Sequence, residues 1–316
     1  MMSGATRCWV MTDGKPGMEN QCLGLAEALR LKPEVKRIAP RAPWSWLPPQ
    51  LWVSPLSAVA EIGPPWPDLL IATGRQTVAP VLAIKRRNPA TFTVQIQDPV
   101  AGRGRFDLIA VPEHDDVSGP NVITTLGALH RVTPERLGEA GPRFRAQLQP
   151  LPRPLIAVLL GGTNKQFRLT EARARALADG LARLPGGLAV TPSRRTGDDA
   201  MRIIRTALSN KPALIWDGSG ENPYFGFLAE ADAIVVTGDS VSMVSEACAT
   251  GKPVYVFDLE GGSRKFARFH RALRERGITR PFDGTLAAWT YPPLDDTARV
   301  AAEVRRRFAL AANFGK

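Results

Sequence analysis

The sequence is poor in the residues that build disulfide frameworks and metal centres. Its 316 residues include three cysteines and three histidines. Cys8, Cys22 and Cys248 are scattered, and none has a Cys or His partner at metal-ligand spacing. This pattern excludes a disulfide-stapled scaffold and a zinc site of the finger type.

Long apolar runs are absent as well. No stretch approaches the roughly 20 apolar residues that a membrane-spanning helix needs, and the N-terminus, MMSGATRCWVMTDGK, has no long apolar segment after a basic start. We therefore expect a cytoplasmic protein without a transmembrane segment or a secretory signal. A length of 316 residues, with 44% hydrophobic and 22% charged residues, is ordinary for a globular chain of two domains.

Positive charge is in excess, because 41 Lys and Arg against 30 Asp and Glu give a net charge of +11. Such a surface attracts nucleic acid, anionic lipid or a phosphorylated substrate. The patterns of helix-turn-helix, RRM and KH modules are missing, so we expect no nucleic-acid partner and favour a phosphorylated substrate or an anionic membrane surface. A GC-rich genome would explain part of the same arginine excess.

Prolines and tryptophans are concentrated between residues 35 and 66, where the prolines exclude long helices. Two alternatives stay open for the tryptophans, among them Trp44, Trp46 and Trp52. They either pack against the domain or, if exposed, form an apolar surface beside basic residues such as Arg41. Such a surface would suit a membrane interface or a lipid-linked acceptor.

The most informative stretch is residues 232–259, which reads as strand, polar turn, helix and strand. A β-branched apolar run over residues 233–236 leads into a turn, helical periodicity begins at Val241, and Gly251 ends the helix before the next strand. Short connections make this a right-handed βαβ unit with parallel strands. Such a unit presents a helix N-terminus, which binds anions, beyond the carboxyl ends of its strands.

The turn and the first helical residues of this unit carry groups suited to a nucleotide. We expect a phosphate beside Asp239 and Ser240, on the amides of Ser242 and Met243. Glu246, one helical turn after Ser242, would accept hydrogen bonds from a ribose diol. Alternatively, Asp239 or Ser240 merely caps the helix and Glu246 is a solvated carboxylate. The nucleotide interpretation requires that Glu246 is not sealed in the interior.

Two more turns of the second half follow predicted strands. After the strand over residues 155–160, two glycines followed by Thr, Asn and Lys favour an anion nest. After the strand over residues 188–191, two adjacent arginines suit a diphosphate, because the guanidinium fork matches phosphate oxygens. The candidate nucleotide-binding residues of these turns are Gly161, Gly162, Thr163, Asn164, Lys165, Ser193, Arg194 and Arg195.

Polar clusters also follow the predicted strands of the first half. The loop over residues 12–21 combines turn-permitting glycines with dense polar side chains, but it has neither the Walker A nor the dinucleotide-binding pattern. Its alternative interpretation is a capped turn closed by Glu19 or Asn20. Three later strands, the first over residues 68–73, end in polar clusters too, as expected at the carboxyl edge of a parallel sheet. His114, beside carboxylates, is a candidate general base or positioning residue.

Two resemblances are carried by these motifs. The stretch ADAIVVTGDSVSMVSEACATGKPVYVF resembles the nucleotide-binding unit of GT-B glycosyltransferases. Over nearly its whole length the chain resembles the mitochondrial fission (elongated-mitochondria) family, whose plant member acts in organelle division at the mitochondrial surface. The motifs that carry this second resemblance are, in order, DGKPGMENQ, GRQT, VQIQDP, VPEHD, GALHRVT, GGTNK, SRRT and GDSVSMVSEA.

Together these resemblances imply an α/β fold of GT-B type, with two Rossmann-like domains built on parallel sheets and facing a central cleft. We expect an N-terminal acceptor domain over residues 1–149 and, after the proline-rich stretch at 149–154, a C-terminal nucleotide-diphosphate-sugar domain over residues 150–296. The final helix, within residues 297–316, would pack back on the first domain. By the same resemblance, Asn222 lies in a loop along the nucleotide base.

The GT-B resemblance implies sugar transfer. We favour an inverting transferase with a nucleotide sugar as co-substrate and, because no Asp-x-Asp motif occurs, no obligatory metal or cofactor. Asp13 or Glu19 would be the base, with His114 in reserve, and Arg194 with the helix N-terminus at Ser242 would stabilise the leaving diphosphate. The residues predicted on the acceptor side are Lys15, Asn20, Gln21, Arg75, Gln97 and Asp98.

The family resemblance implies a different role. As the alternative to a transferase, it implies a non-catalytic adaptor that acts at a membrane surface. For a bacterial member this surface would be the inner membrane. A transferase would act on a lipid-linked or phosphorylated acceptor. The sugar, the acceptor and the oligomeric state stay open at this point.

Overall fold

The computed structural model describes residues 6–42, 44–48, 51–57, 59 and 62–314. The strands are β1 Cys8–Thr12, β2 Glu34–Arg37, β3 Leu69–Thr73, β4 Phe92–Ile96, β5 Leu108–Pro112, β6 Val122–Thr125, β7 Leu155–Leu160, β8 Phe167–Arg168, β9 Gly187–Pro192, β10 Ala213–Ile215, β11 Ala233–Thr237, β12 Val254–Phe257, β13 Glu260–Gly261 and β14 Thr279–Pro281. The helices are α1 Pro16–Ala28, α2 Val78–Arg87, α3 Pro134–Leu148, α4 Glu171–Arg183, α5 Asp198–Ala207, α6 Tyr224–Glu230, α7 Val241–Cys248, α8 Arg264–Glu275 and α9 Asp296–Phe314.

The chain divides into two compact units: unit 1 is Met1–Arg131 with Asp295–Lys316, and unit 2 is Val132–Leu294. Unit 1 contains a parallel sheet of order β2-β1-β3-β4-β5-β6. Alternate residues of its central strands enter two separate cores, so that Val10 and Ile71 lie on one face and Met11 and Leu70 on the other. Burial of both faces explains why these strands are continuously apolar.

Unit 2 contains a second parallel sheet, of order β10-β9-β7-β11-β12-β14, and a short antiparallel ribbon of β8 and β13. Its first strand, β7, lies between β9 and β11, so the chain progresses outward in opposite directions on the two sides of β7. The carboxyl ends of β7 and β11 therefore flank a topological switch point, where α/β sheets of this kind leave a crevice for ligands. The parallel α/β class predicted from the sequence is confirmed.

The division between the units differs from the predicted boundary at residues 149/150, because an additional helix belongs to unit 2. Thr133 caps α3 by accepting a hydrogen bond from the Arg136 amide at 3.2 Å. The helix packs on α6, with the rings of Phe144 and Phe227 edge to face at 6.4 Å. The final helix, α9, contributes Val300 and other side chains to the core of unit 1; the last residues of the predicted 297–316 span, 315 and 316, lie outside the described residues.

The proline- and tryptophan-rich region contains both packed and exposed tryptophans, so both predicted alternatives occur. Trp52 is 6% exposed, and the ring of Trp66 packs edge to face on that of Trp9 at 6.3 Å. Trp46, in contrast, is 78% exposed. Pro43 and Pro49 of this region lie outside the described residues. No helix within the described ranges has both the length and the hydropathy of a membrane span.

Candidate functional site

Three turns of unit 2 meet at the carboxyl ends of β7, β9 and β11. The Gly161 amide, after β7, donates to Thr237 Oγ1 at 2.7 Å, and the Gly162 amide donates to Asp239 Oδ2 at 3.1 Å. The same Asp239 oxygen accepts from the Arg195 guanidinium at 2.7 Å. Turns separated by some tens of residues in sequence are thus joined directly at the topological switch point of this sheet.

The paired glycines permit this close approach. A Cβ on Gly161 would lie 2.0 Å from Asp239 Oδ1, and one on Gly162 would lie 2.0 Å from the carbonyl oxygen of Arg195. Neither distance is tolerable for non-bonded atoms, so a side chain at either position would push the turns apart. The glycines are therefore required by packing between the turns.

The prediction that this turn is an open anion nest is wrong. The amides of Gly161 and Gly162 are bonded as described, the Thr163 amide donates to the Arg195 carbonyl at 3.1 Å, and the Asn164 amide donates to the Phe167 carbonyl at 2.9 Å. An amide that already donates within the protein offers nothing to a phosphate. Sequence spacing shows that amides are present in a turn, but not which oxygens they contact.

Asp239 also has a different role from the ligand contact predicted for it. Its side chain is completely buried, and Oδ1 accepts from the Thr237 hydroxyl at 2.6 Å while Oδ2 accepts from Gly162 and Arg195. A carboxylate with this many donors is satisfied by the protein and would repel a phosphate. Asp239 therefore positions the turns and Arg195, whose side chain is 42% exposed.

The N-terminus of α7 is partly capped. Ser240 is the N-cap residue, and its Oγ accepts from the Met243 amide at 3.3 Å. The predicted contact of a phosphate with the Met243 amide is therefore replaced by a cap. The amides of Val241 and Ser242, in the first turn, have no intrahelical acceptor and remain available to an anion.

Exposed cations lie on the turns beside this helix. The side chains of Lys165, after β7, and Arg194, after β9, are exposed. Ser193 Oγ donates to the Gly161 carbonyl at 3.1 Å, which joins the turn that carries Arg194 to the turn after β7. Two cations and a helix N-terminus at one end of a sheet form an arrangement that attracts a polyanion.

Glu246 is buried, at 7% exposure, and its Oε2 accepts a hydrogen bond from the Tyr224 hydroxyl at 2.6 Å. The ribose contact predicted for Glu246 requires an accessible carboxylate, so this prediction is wrong. Burial, followed by the charge of Glu246, raises the pKa of Tyr224, so the phenol stays protonated as the donor. Sequence reasoning missed Tyr224. The only signal was that Tyr224 lies close to Asn222, in the loop predicted to run along the nucleotide base. In the structure, Asn222 Oδ1 accepts a hydrogen bond from the Tyr224 amide at 3.0 Å.

In unit 1, two predicted carboxylates are held by arginines. Both oxygens of Glu19 accept from Arg37, at 2.7 and 2.8 Å, and this pairing lowers the pKa of Glu19. Both oxygens of Asp98 accept from Arg103 at 2.7 Å, which lowers the pKa of Asp98 as well. A carboxylate stabilised in this way is a weak proton acceptor, so the structure speaks against Glu19 as the base.

The other predicted residues of unit 1 follow neighbouring strands of its sheet. Asp13 pairs with the exposed ammonium of Lys15, and His114 is 5% exposed with its Nε2 3.6 Å from Asp115 Oδ1. Because β1, β3, β4 and β5 are adjacent and parallel, the residues after them share one edge. Those predicted for the acceptor side have mixed exposure: Lys15 and Arg75 are exposed, Asn20, Gln97 and Asp98 are partly buried, and Gln21 is buried.

Comparison with known proteins gives a family and a fold. The family model described as "Mitochondrial fission ELM1" matches residues 16–308. The mitochondrial fission protein ELM1 of Arabidopsis thaliana is 36% identical over 274 residues, which is 77% of this chain and 64% of the plant protein, so the chain covers less than two thirds of that relative.

Two solved structures share the architecture. A UDP-GlcNAc 2-epimerase from Methanocaldococcus jannaschii, in complex with UDP-GlcNAc and UDP, has a TM-score of 0.57 at 12% identity and covers 95% of this chain and 99% of its own. The glycosyltransferase SnogD from Streptomyces nogalater has a TM-score of 0.55 at 17% identity and covers 98% of each chain. At such identities the similarity shows the fold alone, which is the GT-B type that the sequence predicted.

Proposed function

The chain belongs to the mitochondrial fission ELM1 family, and we propose that its unit 2 binds the diphosphate of a nucleotide sugar at the carboxyl ends of β7, β9 and β11. The observation that carries the proposal is the junction of three turns at the switch point of the sheet, beside two exposed cations. The M. jannaschii protein of the same fold was solved with UDP-GlcNAc and UDP, which supports a nucleotide sugar as the ligand class.

In this proposal the diphosphate lies on the amides of Val241 and Ser242 and pairs with Arg194 and Lys165. Asp239 does not contact the ligand but holds the turns in place. Glu246 is left out of the proposed site, because it is buried and its Oε2 already accepts a hydrogen bond from the Tyr224 hydroxyl.

For catalysis we propose inverting transfer without an obligatory metal. Asp13 is the preferred base of the three candidates: its partner Lys15 is a single exposed ammonium, whereas Glu19 is held by two bonds from Arg37 and His114 is buried. The Asp13 side chain is 11% exposed, but the Lys15 side chain is 71% exposed, and such an ammonium is easily exchanged for another partner. Arg194 and the α7 N-terminus would stabilise the charge that develops on the leaving diphosphate.

A second candidate function is a non-catalytic adaptor that acts at a membrane surface. The exposed apolar side chains of unit 1, among them Trp46 at 78% exposure, favour it. An adaptor has no need for cations beside the switch point of unit 2, which is why we prefer nucleotide-sugar binding as the main function.

The test is a thermal-shift screen of the full chain with UDP-, GDP-, ADP- and CMP-sugars. A ligand at about one hundred times its dissociation constant stabilises the folded state by about 2.7 kcal/mol, which is readily measured as a rise in Tm. We expect one nucleotide class to raise the Tm, with the free diphosphate retaining much of the effect. If no nucleotide shifts the Tm, the proposed function is wrong.

A further inference from the structure

Unit 1 carries an open pocket of about 290 Å³ that none of the predicted site residues lines. Its walls include Trp52, Val78, Ala79 and Leu82, and two arginines, Arg86 and Arg105, line it as well. Small-molecule sites occupy roughly 300–1,000 Å³, so the pocket is at the lower end and suits one apolar chain. Apolar walls with two cations fit a ligand that is apolar at one end and anionic at the other.

Exposed apolar side chains are concentrated beside this pocket. Five of the six large hydrophobic side chains that are exposed among the described residues lie in two segments that contain lining residues, which are residues 46–53 with Trp52 and Val100 directly before Ala101. We call them the apolar rim; its members are Trp46 (78% exposed), Leu47 (37%), Leu51 (60%), Val53 (85%) and Val100 (50%). Single exposed apolar residues are normal, but a cluster marks a surface that binds another apolar surface.

Hydrogen bonds fix the segment that carries most of the rim. The Leu47 amide donates to the Trp44 carbonyl at 3.1 Å, and the Leu51 amide donates to the Pro48 carbonyl at 2.9 Å. Trp52 Nε1 donates to the Leu47 carbonyl at 3.1 Å, and the Trp52 side chain is buried. The buried Trp52 thus anchors the segment while the neighbouring apolar side chains are exposed.

The backbone at Val100 is strained. Its φ is 68°, a conformation that β-branched residues rarely adopt, because Cβ crowds the following carbonyl. The Val100 amide is bonded to Asp98 Oδ1 at 2.9 Å, so the turn is well defined. The chain therefore holds an exposed valine beside the pocket in an unfavourable conformation, which points to a contact outside the molecule.

The cations complement an anionic surface. Arg86 and Arg105 are exposed, and within the described ranges neither is recorded in an ion pair with a carboxylate. The whole chain has a net charge of +11. Unpaired arginines beside exposed tryptophan and aliphatic side chains are the combination that binds the interface of anionic bilayers.

We propose that this face of unit 1 docks on an anionic phospholipid bilayer. One acyl chain enters the pocket, the lipid phosphate pairs with Arg86 and Arg105, and the apolar rim inserts at the level of the headgroups. This inference gives the adaptor candidate a defined lipid site, and it does not depend on nucleotide binding by unit 2.

The test is co-sedimentation of the full chain with vesicles of phosphatidylcholine alone or of phosphatidylcholine and phosphatidylglycerol in equal parts. We expect binding to the mixed vesicles only. Trp46→Ser should weaken it at least about tenfold and Arg86→Gln about fivefold. Leu310→Ser, at an exposed leucine outside the rim, and Arg87→Gln, on the same helix but not lining the pocket, are the matched controls and should bind as wild type.

Two further variants separate the pocket from general surface attraction. Ala79→Trp fills the pocket and should weaken binding to mixed vesicles about as much as Arg86→Gln. Val100→Gly should raise the Tm, because it relieves the positive φ, and yet weaken vesicle binding. Circular dichroism spectra and thermal unfolding measured in parallel show whether each variant is folded.

Three outcomes overturn the proposal. Wild-type binding by Trp46→Ser and Arg86→Gln would show that this face does not dock. Wild-type binding by Ala79→Trp would show that no acyl chain enters the pocket. The third outcome compares two losses of affinity in the rim variants, one for vesicles and one for dodecyl phosphate in solution. If the loss for vesicles is no larger than the loss for dodecyl phosphate, the ligand is a free amphiphile and not a bilayer.

Discussion

The Arg195 guanidinium donates to the buried carboxylate of Asp239 at 2.7 Å, and this bond joins the turn after β9 to the turn after β11. The same carboxylate accepts from the Gly162 amide and from the Thr237 hydroxyl. One side chain thus connects three strand ends. Asp239 holds the turns of the proposed diphosphate site in place, although it does not contact the ligand itself.

Asp239→Asn keeps the size of this side chain and removes its charge. We expect it to lower the free energy of unfolding by about 2–3 kcal/mol, because buried charge-assisted hydrogen bonds are lost and an amide nitrogen faces donors. Urea unfolding measures the change. Glu171→Gln, in an exposed pair with Arg175, is the control and should cost less than about 0.5 kcal/mol. Equal effects of the two changes would contradict the role of Asp239 as the connecting residue.

Gly161→Ala tests whether the glycine is required by packing. The added Cβ would meet Asp239 Oδ1 at 2.0 Å, so we expect the free energy of unfolding to fall by about 3 kcal/mol or more. Gly138→Ala, inside α3 where a Cβ meets nothing within 4 Å, should instead raise it by about 0.5–1 kcal/mol. Chemical denaturation of both variants decides the matter, and an unperturbed Gly161→Ala protein would refute the packing requirement.

Tyr224→Phe removes the donor to Glu246. A buried carboxylate that loses a partner should cost about 1–3 kcal/mol of stability, and Glu246→Gln should cost less, since an amide oxygen still accepts from Tyr224. In a double-mutant cycle of Tyr224→Phe with Glu246→Ala, which removes the acceptor, we expect a coupling energy of about 1 kcal/mol or more. Additive stabilities would show that the hydrogen bond contributes nothing.

Lys252 gives the protein a defined dependence of stability on pH. Its Nζ donates to the carbonyls of Leu228 and Ala229, at 2.7 and 2.6 Å, and burial lowers its pKa to about 8 from 10.5. Between these two pH values the unfolded chain binds the proton and the folded chain does not, so stability rises with pH through this window.

The measurement compares wild type with Lys252→Met by urea unfolding at about pH 7 and about pH 10. From the lower to the higher pH, the free energy of unfolding of wild type should rise, relative to that of the variant, by up to about 3 kcal/mol. Below about pH 8 lysine is charged in both states, and its contribution is constant. A difference between the two proteins that does not change with pH would contradict the lowered pKa.

The central strands could be predicted from the sequence because both faces of each are buried, which leaves continuous apolar runs such as residues 69–73 and 233–236. The edge strands β2 and β14 were missed because they are short and largely exposed. Helix α3 was missed too, since Pro142 and two glycines interrupt its periodicity and its stability comes from packing on α6.

The candidate site was predictable only as a location. Turns after parallel strands must share an edge, so the meeting of the turns at Gly161, Arg195 and Asp239 follows from topology. Topology does not determine which donor bonds to which acceptor. The hydrogen bond from the Gly162 amide to Asp239 joins residues 77 positions apart in the sequence, and no spacing rule predicts it. For the same reason the burial of Glu246 beside Tyr224 could not be read from the i,i+4 pattern.

Titration calorimetry of the full chain with the nucleoside diphosphate that gives the largest thermal shift tests the central claim most directly. We expect wild type to bind, Arg194→Gln to bind at least about tenfold more weakly because a charge-assisted hydrogen bond to phosphate is lost, and Arg175→Gln on α4 to bind as wild type. If Arg194→Gln binds the diphosphate with unchanged affinity, the turns of unit 2 are not its site.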